Sequence, residues 1–119
     1  MPALGTILVI EDDAAIRDLI ADFLSDEGYS VRGAADALGG IVALVDGQPD
    51  LILLDYDLPR TNPLAFARSI HSTGITTPIV LMIMDKQPPE HPDMVNIALC
   101  LPKPFELDEL LDCVARYVR

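Results

Sequence analysis

Cysteine, basic residues and long apolar runs are all scarce in this 119-residue chain. The two cysteines, Cys100 and Cys113, have neither the close spacing nor the histidine neighbours of a zinc site, and a small secreted domain would carry more of them. Reduced thiols in a cytoplasmic protein are therefore expected. Only 8 Lys and Arg stand against 19 Asp and Glu, a formal charge of −11, which argues against direct binding of nucleic acid or of an anionic membrane. Such a partner would be reached through another protein or a further domain. The longest apolar stretches, at residues 7–10, 51–54 and 79–84, are far too short to span a bilayer, and no basic segment followed by an apolar run opens the sequence. A soluble chain without a recognisable export signal is expected. No internal repeat, low-complexity tract or linker divides it, and its length at 50% hydrophobic content fits a single core, so one domain over residues 1–119 is expected.

The apolar runs that are present have a strand-like form. Ile7-Leu8-Val9-Ile10, Leu51-Ile52-Leu53-Leu54 and Ile79-Val80-Leu81-Met82-Ile83 are short and continuous, as expected of parallel strands covered on both faces. Tyr29-Ser30-Val31-Arg32 follows Gly28, a helix-ending glycine, and reads as an edge strand; Leu99-Cys100-Leu101 reads as a short last strand. Between them the period becomes helical. Ile16, Leu19, Ile20, Phe23 and Leu24 share a face, as do Leu38, Ile41, Val42 and Val45, and Leu107, Leu110, Leu111, Val114 and Val118 repeat the pattern at the end. Asn62 and Pro63 suit the N-cap and first position of a helix over residues 64–72, with Phe66 and Ile70 facing the core. Pro88, Pro89 and Pro92 forbid a full helix before about residue 93, so a loop and a stunted fourth helix of little more than one or two turns over residues 93–98 are expected. The β-α alternation predicts a doubly wound α/β fold with functional groups at the carboxyl ends of its strands.

Acidic residues stand at those ends. Glu11-Asp12-Asp13 follows the first apolar run and Asp55 follows the third, so the sheet would gather their carboxylates at one edge. Clustered carboxylates raise one another's pKa, and a hard divalent cation with oxygen ligands relieves the repulsion. An Asp beside such an ion can attack a phosphoryl group. Lys103, just after the last strand, would bring a mobile point charge to the same edge. The plainer alternative is that Asp12 or Asp13 caps the first helix and Asp55 is a turn residue; capping by Asp13 is expected in either case. His71 and His91 have no ligand partner at metal spacing and read as solvated.

The segments Ile7-Leu8-Val9-Ile10-Glu11-Asp12-Asp13, Pro49-Asp50-Leu51-Ile52-Leu53-Leu54-Asp55-Tyr56-Asp57-Leu58-Pro59 and Pro102-Lys103-Pro104-Phe105 resemble the three signature segments of bacterial response-regulator receiver domains. The resemblance covers the whole chain. It implies a flavodoxin-like (βα)5 sandwich with strand order 2-1-3-4-5. It makes Asp55 the phosphoacceptor and Asp12 a direct ligand of Mg²⁺ or Mn²⁺, with Glu11 acting mainly through water and Asp57 offering its backbone carbonyl. Lys103 would contact the phosphoryl group, and the Lys103–Pro104 bond would be cis. The donor would be a sensor histidine kinase or a histidine phosphotransfer protein, and the signal would pass to a downstream protein or an effector domain.

Three positions depart from the family pattern. Receivers carry Thr or Ser at the end of the fourth strand, where Ile83 stands and offers no hydroxyl. Thr76 and Thr77 lie about five residues, or ~15 Å, from that end and cannot substitute. The aromatic switch position on the fifth strand is Cys100, and the proline-rich residues 85–93 occupy much of the usual output surface. Ile83 and Cys100 are also ordinary core residues for strands. Two readings follow: a phosphorylatable receiver whose signal leaves by an unusual surface, such as residues 85–93 or the helix near Leu107, or a pseudo-receiver whose interactions ignore phosphorylation. A small metal-dependent phosphohydrolase using Asp55-Tyr56-Asp57 is a third, weakened by the lack of a cap to enclose a substrate; a non-enzymatic role is expected. The last helix closes the sequence, which suits a single-domain regulator or one separated from its effector.

Overall fold

The computed structural model describes residues 4–84 and 97–118, and for residues 98–100 the backbone alone. Five parallel strands, β1 (Thr6–Ile10), β2 (Ser30–Ala34), β3 (Leu51–Asp55), β4 (Ile79–Ile83) and β5 (Ile97–Pro102), form one sheet in the order β2-β1-β3-β4-β5. The helices are α1 (Ala14–Asp26), α2 (Ala37–Val45), α3 (Pro63–Ser72) and α4 (Leu107–Tyr117). This is the expected doubly wound, flavodoxin-like arrangement.

Strand alternation explains why the runs are continuously apolar. Leu8, Ile10, Ile52, Leu54, Ile79, Leu81 and Ile83 point into a core shared with α2 and α3, while Ile7, Val9, Leu51, Leu53, Val80 and Met82 point into the one shared with α1 and α4. Each such fully buried aliphatic side chain contributes about 1.5–3 kcal/mol. Two covered faces leave no position for a polar residue except at strand ends.

Three of the helix boundaries follow from the capping chemistry read in the sequence. Asp13 Oδ1 accepts from the N–H groups of Ala15 and Ile16 at 2.9 and 3.2 Å and starts α1. Gly28, with φ of 105°, ends it: its N–H donates to the Ser25 carbonyl while that of Tyr29 donates to Leu24, a Schellman closure. Asn62 caps α3 ahead of Pro63, and Phe66 and Ile70 are buried as expected. The Glu106 N–H donates to Glu109 Oε1 at the start of α4, a reciprocal motif not anticipated.

Several expectations need correction. β2 begins and ends later than residues 29–32, and β5 starts at Ile97, so Ile97 pairs with Ile79 of β4 and Ala98 falls at a register shift in the strand instead of extending a fourth helix. The expected loop and the rest of that helix, with His91, lie outside the described residues. Leu19 is exposed on α1. The largest reversal is α2, whose apolar stripe faces outward: Leu38, Ile41, Val42 and Val45 are 71, 46, 58 and 81% exposed. The inward stripe is instead Ala37, Gly40 and Leu44. A Cβ on Gly40 would lie 2.6 Å from Ile10 Cδ1, so the missing side chain lets α2 sit close to the sheet and turns its bulky residues away. Arg32 on β2 fixes that position by donating to the carbonyls of Ala43 and Gly47, both at 2.8 Å.

Candidate functional site

The sheet ladder continues one residue past the strands and holds the site. The N–H of Glu11 donates to Ala34 at 3.0 Å, that of Tyr56 to Met82 at 2.9 Å and that of Lys103 to Ile83 at 2.7 Å. The carboxyl ends of β1, β3 and β5 therefore present Glu11, Asp55 and Lys103 from fixed backbone. Glu11 and Asp55 are buried, at 1 and 3% exposure, whereas Asp12 is open to solvent. One carboxylate oxygen from each of Glu11, Asp12 and Asp55 lies within 4.8 Å of the others.

The polar contacts inside the cluster are short. Lys103 Nζ lies 2.6 Å from Glu11 Oε1 and 3.3 Å from Asp55 Oδ1. Asp55 Oδ1 also accepts the Asp57 N–H at 3.1 Å, and Glu11 Oε2 accepts the Asp13 N–H at 3.3 Å. Burial and the adjacent Asp55 carboxyl push Glu11 up to about 7, against the pull of Lys103. At Asp55, burial acts upward, but the hydrogen bonds with Glu11 and the Asp57 N–H and the charge of Lys103 win, holding it below the usual range. Lys103 is likewise raised: burial opposes its charge, and the two carboxylates more than restore it. Near neutral pH, a proton and a divalent cation compete for the same oxygens. The donors are all carboxylate oxygens, a set that fits a hard cation such as Mg²⁺ and not a thiolate-seeking metal.

Asp57 is exposed, and its backbone N–H donates to Asp55 Oδ1. Asp13 serves as a helix cap, as expected. The Lys103–Pro104 peptide is cis. Ile83 is 2% exposed and pairs with Pro102, which brings an apolar side chain, and no hydroxyl, to the end of β4 beside the cluster. Thr77 lies at the opposite end, its hydroxyl donating to the Pro49 carbonyl at 3.0 Å. Cys100 pairs with Leu81 in β5, its side chain lying outside the described residues, and His71 is exposed on α3.

Two features escaped the sequence reading. Arg17 Nη1 donates to the Glu11 carbonyl at 2.7 Å, and its aliphatic stem lies against Gly33, where a Cβ would stand 3.1 Å from Arg17 Cδ. The available signal was a lone cation on a helix otherwise carrying Asp18, Asp22 and Asp26. Arg60, in the loop after β3, has φ of 56°, a left-handed conformation for which neither Gly nor Asn marks the position.

With this geometry in view, the family model "Response regulator receiver domain" matches residues 7–115. The chain is a response regulator receiver domain. It is 35% identical over 107 residues to the transcriptional regulatory protein DltR of Streptococcus agalactiae serotype III, a match covering 88% of this chain and 48% of that protein. The receiver thus spans about half the length of this curated relative. Among solved structures, it resembles the chemotaxis response regulator CheY4 of Vibrio cholerae at 25% identity and a TM-score of 0.85, covering 98% of this chain and 99% of that one. It also resembles the response regulator TrrA of Thermotoga maritima in complex with Mg²⁺-BeF, at 26% identity and a TM-score of 0.83, with 98 and 99% covered. Receiver domains are mainly signalling modules that work with histidine kinases and bind Mg²⁺ at an acidic pocket, with which the Glu11, Asp12 and Asp55 cluster is compatible. Among the described residues, no helix is long and apolar enough to cross a membrane.

Proposed function

We propose that this receiver accepts a phosphoryl group on Asp55 from the phosphohistidine of a sensor kinase or phosphotransfer protein in the cytoplasm. The observation that carries this reading is the convergence on Asp55 of Lys103, at 3.3 Å, and of the Glu11 and Asp12 oxygens, within 4.8 Å. Glu11, Asp12, Asp55 and the Asp57 backbone carbonyl would hold Mg²⁺ or Mn²⁺. When bound, the ion would neutralise charge on the transferring group.

The chain's own groups prepare the acceptor. The Asp57 N–H and Lys103 fix Oδ1 and keep the carboxyl ionised, leaving Oδ2 to attack phosphorus. The O–P bond forms as the P–N bond to the donor imidazole breaks, and the imidazole nitrogen takes the leaving electron pair. Lys103 stays charged and screens the phosphoryl oxygens from Glu11. Each transfer is stoichiometric and the product stays on the protein, so residues 1–119 act as one signalling domain and not as a phosphohydrolase.

A second reading rests on Ile83. Buried and without a hydroxyl, it cannot bond a phosphoryl group and draw the following loop inward. The output is accordingly atypical, passing to a protein partner or effector by another surface, or phosphorylation leaves the interactions of the domain unchanged. Any contact with nucleic acid would belong to other parts of a longer regulator in either case, given the charge of this domain. Intact-mass measurement after acetyl phosphate with Mg²⁺ tests the acceptor: one phosphoryl mass is expected on the natural chain and none on Asp55→Asn. An unlabelled natural chain would remove the first reading. Partner binding and association unchanged by beryllofluoride would favour the pseudo-receiver.

A further inference from the structure

The two helical layers differ in charge. On one side of the sheet, α1 exposes Asp18, Asp22 and Asp26 and α4 exposes Asp108, Glu109 and Asp112. On the other side, α2 carries no charged residue from Ala37 to Val45, and α3 carries no acidic one. The outward stripe of α2 lies on this layer between its capping residues Asp36 and Asp46, with Leu38, Ile41, Val42 and Val45 spaced as in a helix-pairing seam. Four exposed aliphatic side chains make a patch on the order of a few hundred Å², a size that marks an interaction site on a monomer. Beside it, an apolar groove of about 320 Å³ runs between α2 and α3, lined by Ile41, Val45, Phe66, Ile70, Thr73 and Ile75.

We propose that this face binds a second copy of the chain through antiparallel α2 helices related by a two-fold axis. Charge and shape both select that occupant. Two copies carrying −11 each repel, so approach costs least through the layer whose helices carry no acidic residue, where Asp36 and Asp46 stand only at the two ends of α2. The patch is also self-complementary. Leu38, a projecting side chain, and Val45, at the rim of the groove, lie seven residues or about 10 Å apart along the helix. Antiparallel pairing sets each Leu38 against the Val45 and groove of the other copy, with Ile41 and Val42 meeting near the axis, as an isologous contact requires. The same pairing brings Asp36, at the start of one α2, towards Asp46 at the end of the other, a repulsion at each end of the seam that salt screens, while Arg32 stays bound to the carbonyls of Ala43 and Gly47. The joined patches total on the order of 1,000 Å² or less, the range of weak, reversible association.

Sedimentation velocity on the 119-residue chain, from micromolar to near-millimolar concentration, tests this directly. A reversible dimer is expected that tightens as NaCl is raised, because salt screens the mutual repulsion and leaves the apolar contact intact. Leu38→Glu and Val45→Lys, both at exposed positions, should each weaken it by at least about tenfold with an unchanged melting midpoint. An equimolar mixture of the two variants should recover a dimer, because the antiparallel register sets Glu against Lys at one end and leaves the natural contact at the other. A natural chain that stays monomeric throughout would overturn the proposal. So would a dimer indifferent to both substitutions, or a mixture no better associated than its components.

Discussion

β3 and β4 are adjacent in the sheet, paired from Ile52–Ile79 to Asp55–Met82, and both are wholly buried. They end in opposite ways. β3 delivers Asp55, a carboxylate held ionised by Lys103 and the Asp57 N–H, to a cluster of oxygens. β4 delivers Ile83, an apolar side chain whose backbone carbonyl supports Lys103 and whose side chain has nothing to offer a phosphoryl group. On the proposed reading, the residues that would perform a transfer and the strand end that would report it sit on different strands and can be lost separately: the carboxylates and Lys103 gather on one side, and Ile83 brings no hydroxyl on the other.

Substitutions on the two strand ends should separate them. The largest effect is expected for Lys103→Met, which leaves Glu11 and Asp55 buried together with no cation between them. Labelling by acetyl phosphate should slow by at least about a hundredfold, the size typical of losing one preorganised charge. Mg²⁺ should bind no more weakly, since the competing cation is gone; titration calorimetry separates the two effects, and weaker Mg²⁺ binding would mean that Lys103 organises the site instead of serving the transfer.

Ile83→Thr addresses the other strand end. In the unmodified chain, the new hydroxyl is buried without a partner and should cost about 1–3 kcal/mol in urea unfolding. Beryllofluoride with Mg²⁺ should recover part of that loss in the substituted chain, beyond its effect on the natural one. Equal stabilisation of both would show that the position cannot be reached from Asp55. The smallest effect is expected for Arg17→Ala, which frees the Glu11 carbonyl. A half-buried charged hydrogen bond is worth about 1 kcal/mol, so Mg²⁺ affinity should fall several-fold while labelling at saturating Mg²⁺ is unchanged.

Much of this was legible without coordinates because the relevant signals are local. Continuous runs such as Leu51-Ile52-Leu53-Leu54 give buried parallel strands, and a residue directly after such a run must stand at the carboxyl edge; Glu11 and Asp55 are found by that rule, and Asp12 and Lys103 lie one residue further on. Caps at Asp13 and Asn62 need only short-range hydrogen bonding. The orientation of α2 was not legible. Periodicity finds the stripe with the larger side chains, whereas burial was decided by how closely Gly40 lets the helix approach Ile10. Arg17 escaped for a similar reason, since its contact with the Glu11 carbonyl depends on the open space above Gly33 on another strand.

The hydrogen bonds that continue the ladder past the strands tie the site to the whole domain. The amide protons of Glu11, Tyr56 and Lys103 are each held by the carbonyl of a neighbouring strand, as the protons of the core are. Opening the Tyr56 bond requires the central strands β3 and β4 to separate, which exposes both apolar layers at once, whereas the bonds of Glu11 and Lys103 tie the edge strands β2 and β5 to their neighbours. Exchange with solvent at Tyr56 should accordingly follow global unfolding, and exchange at Glu11 and Lys103 the parting of an edge strand. On that expectation the backbone beside Asp55 is the best-held part of the chemical edge, and a signal leaving it would travel through side chains or beyond the strand ends.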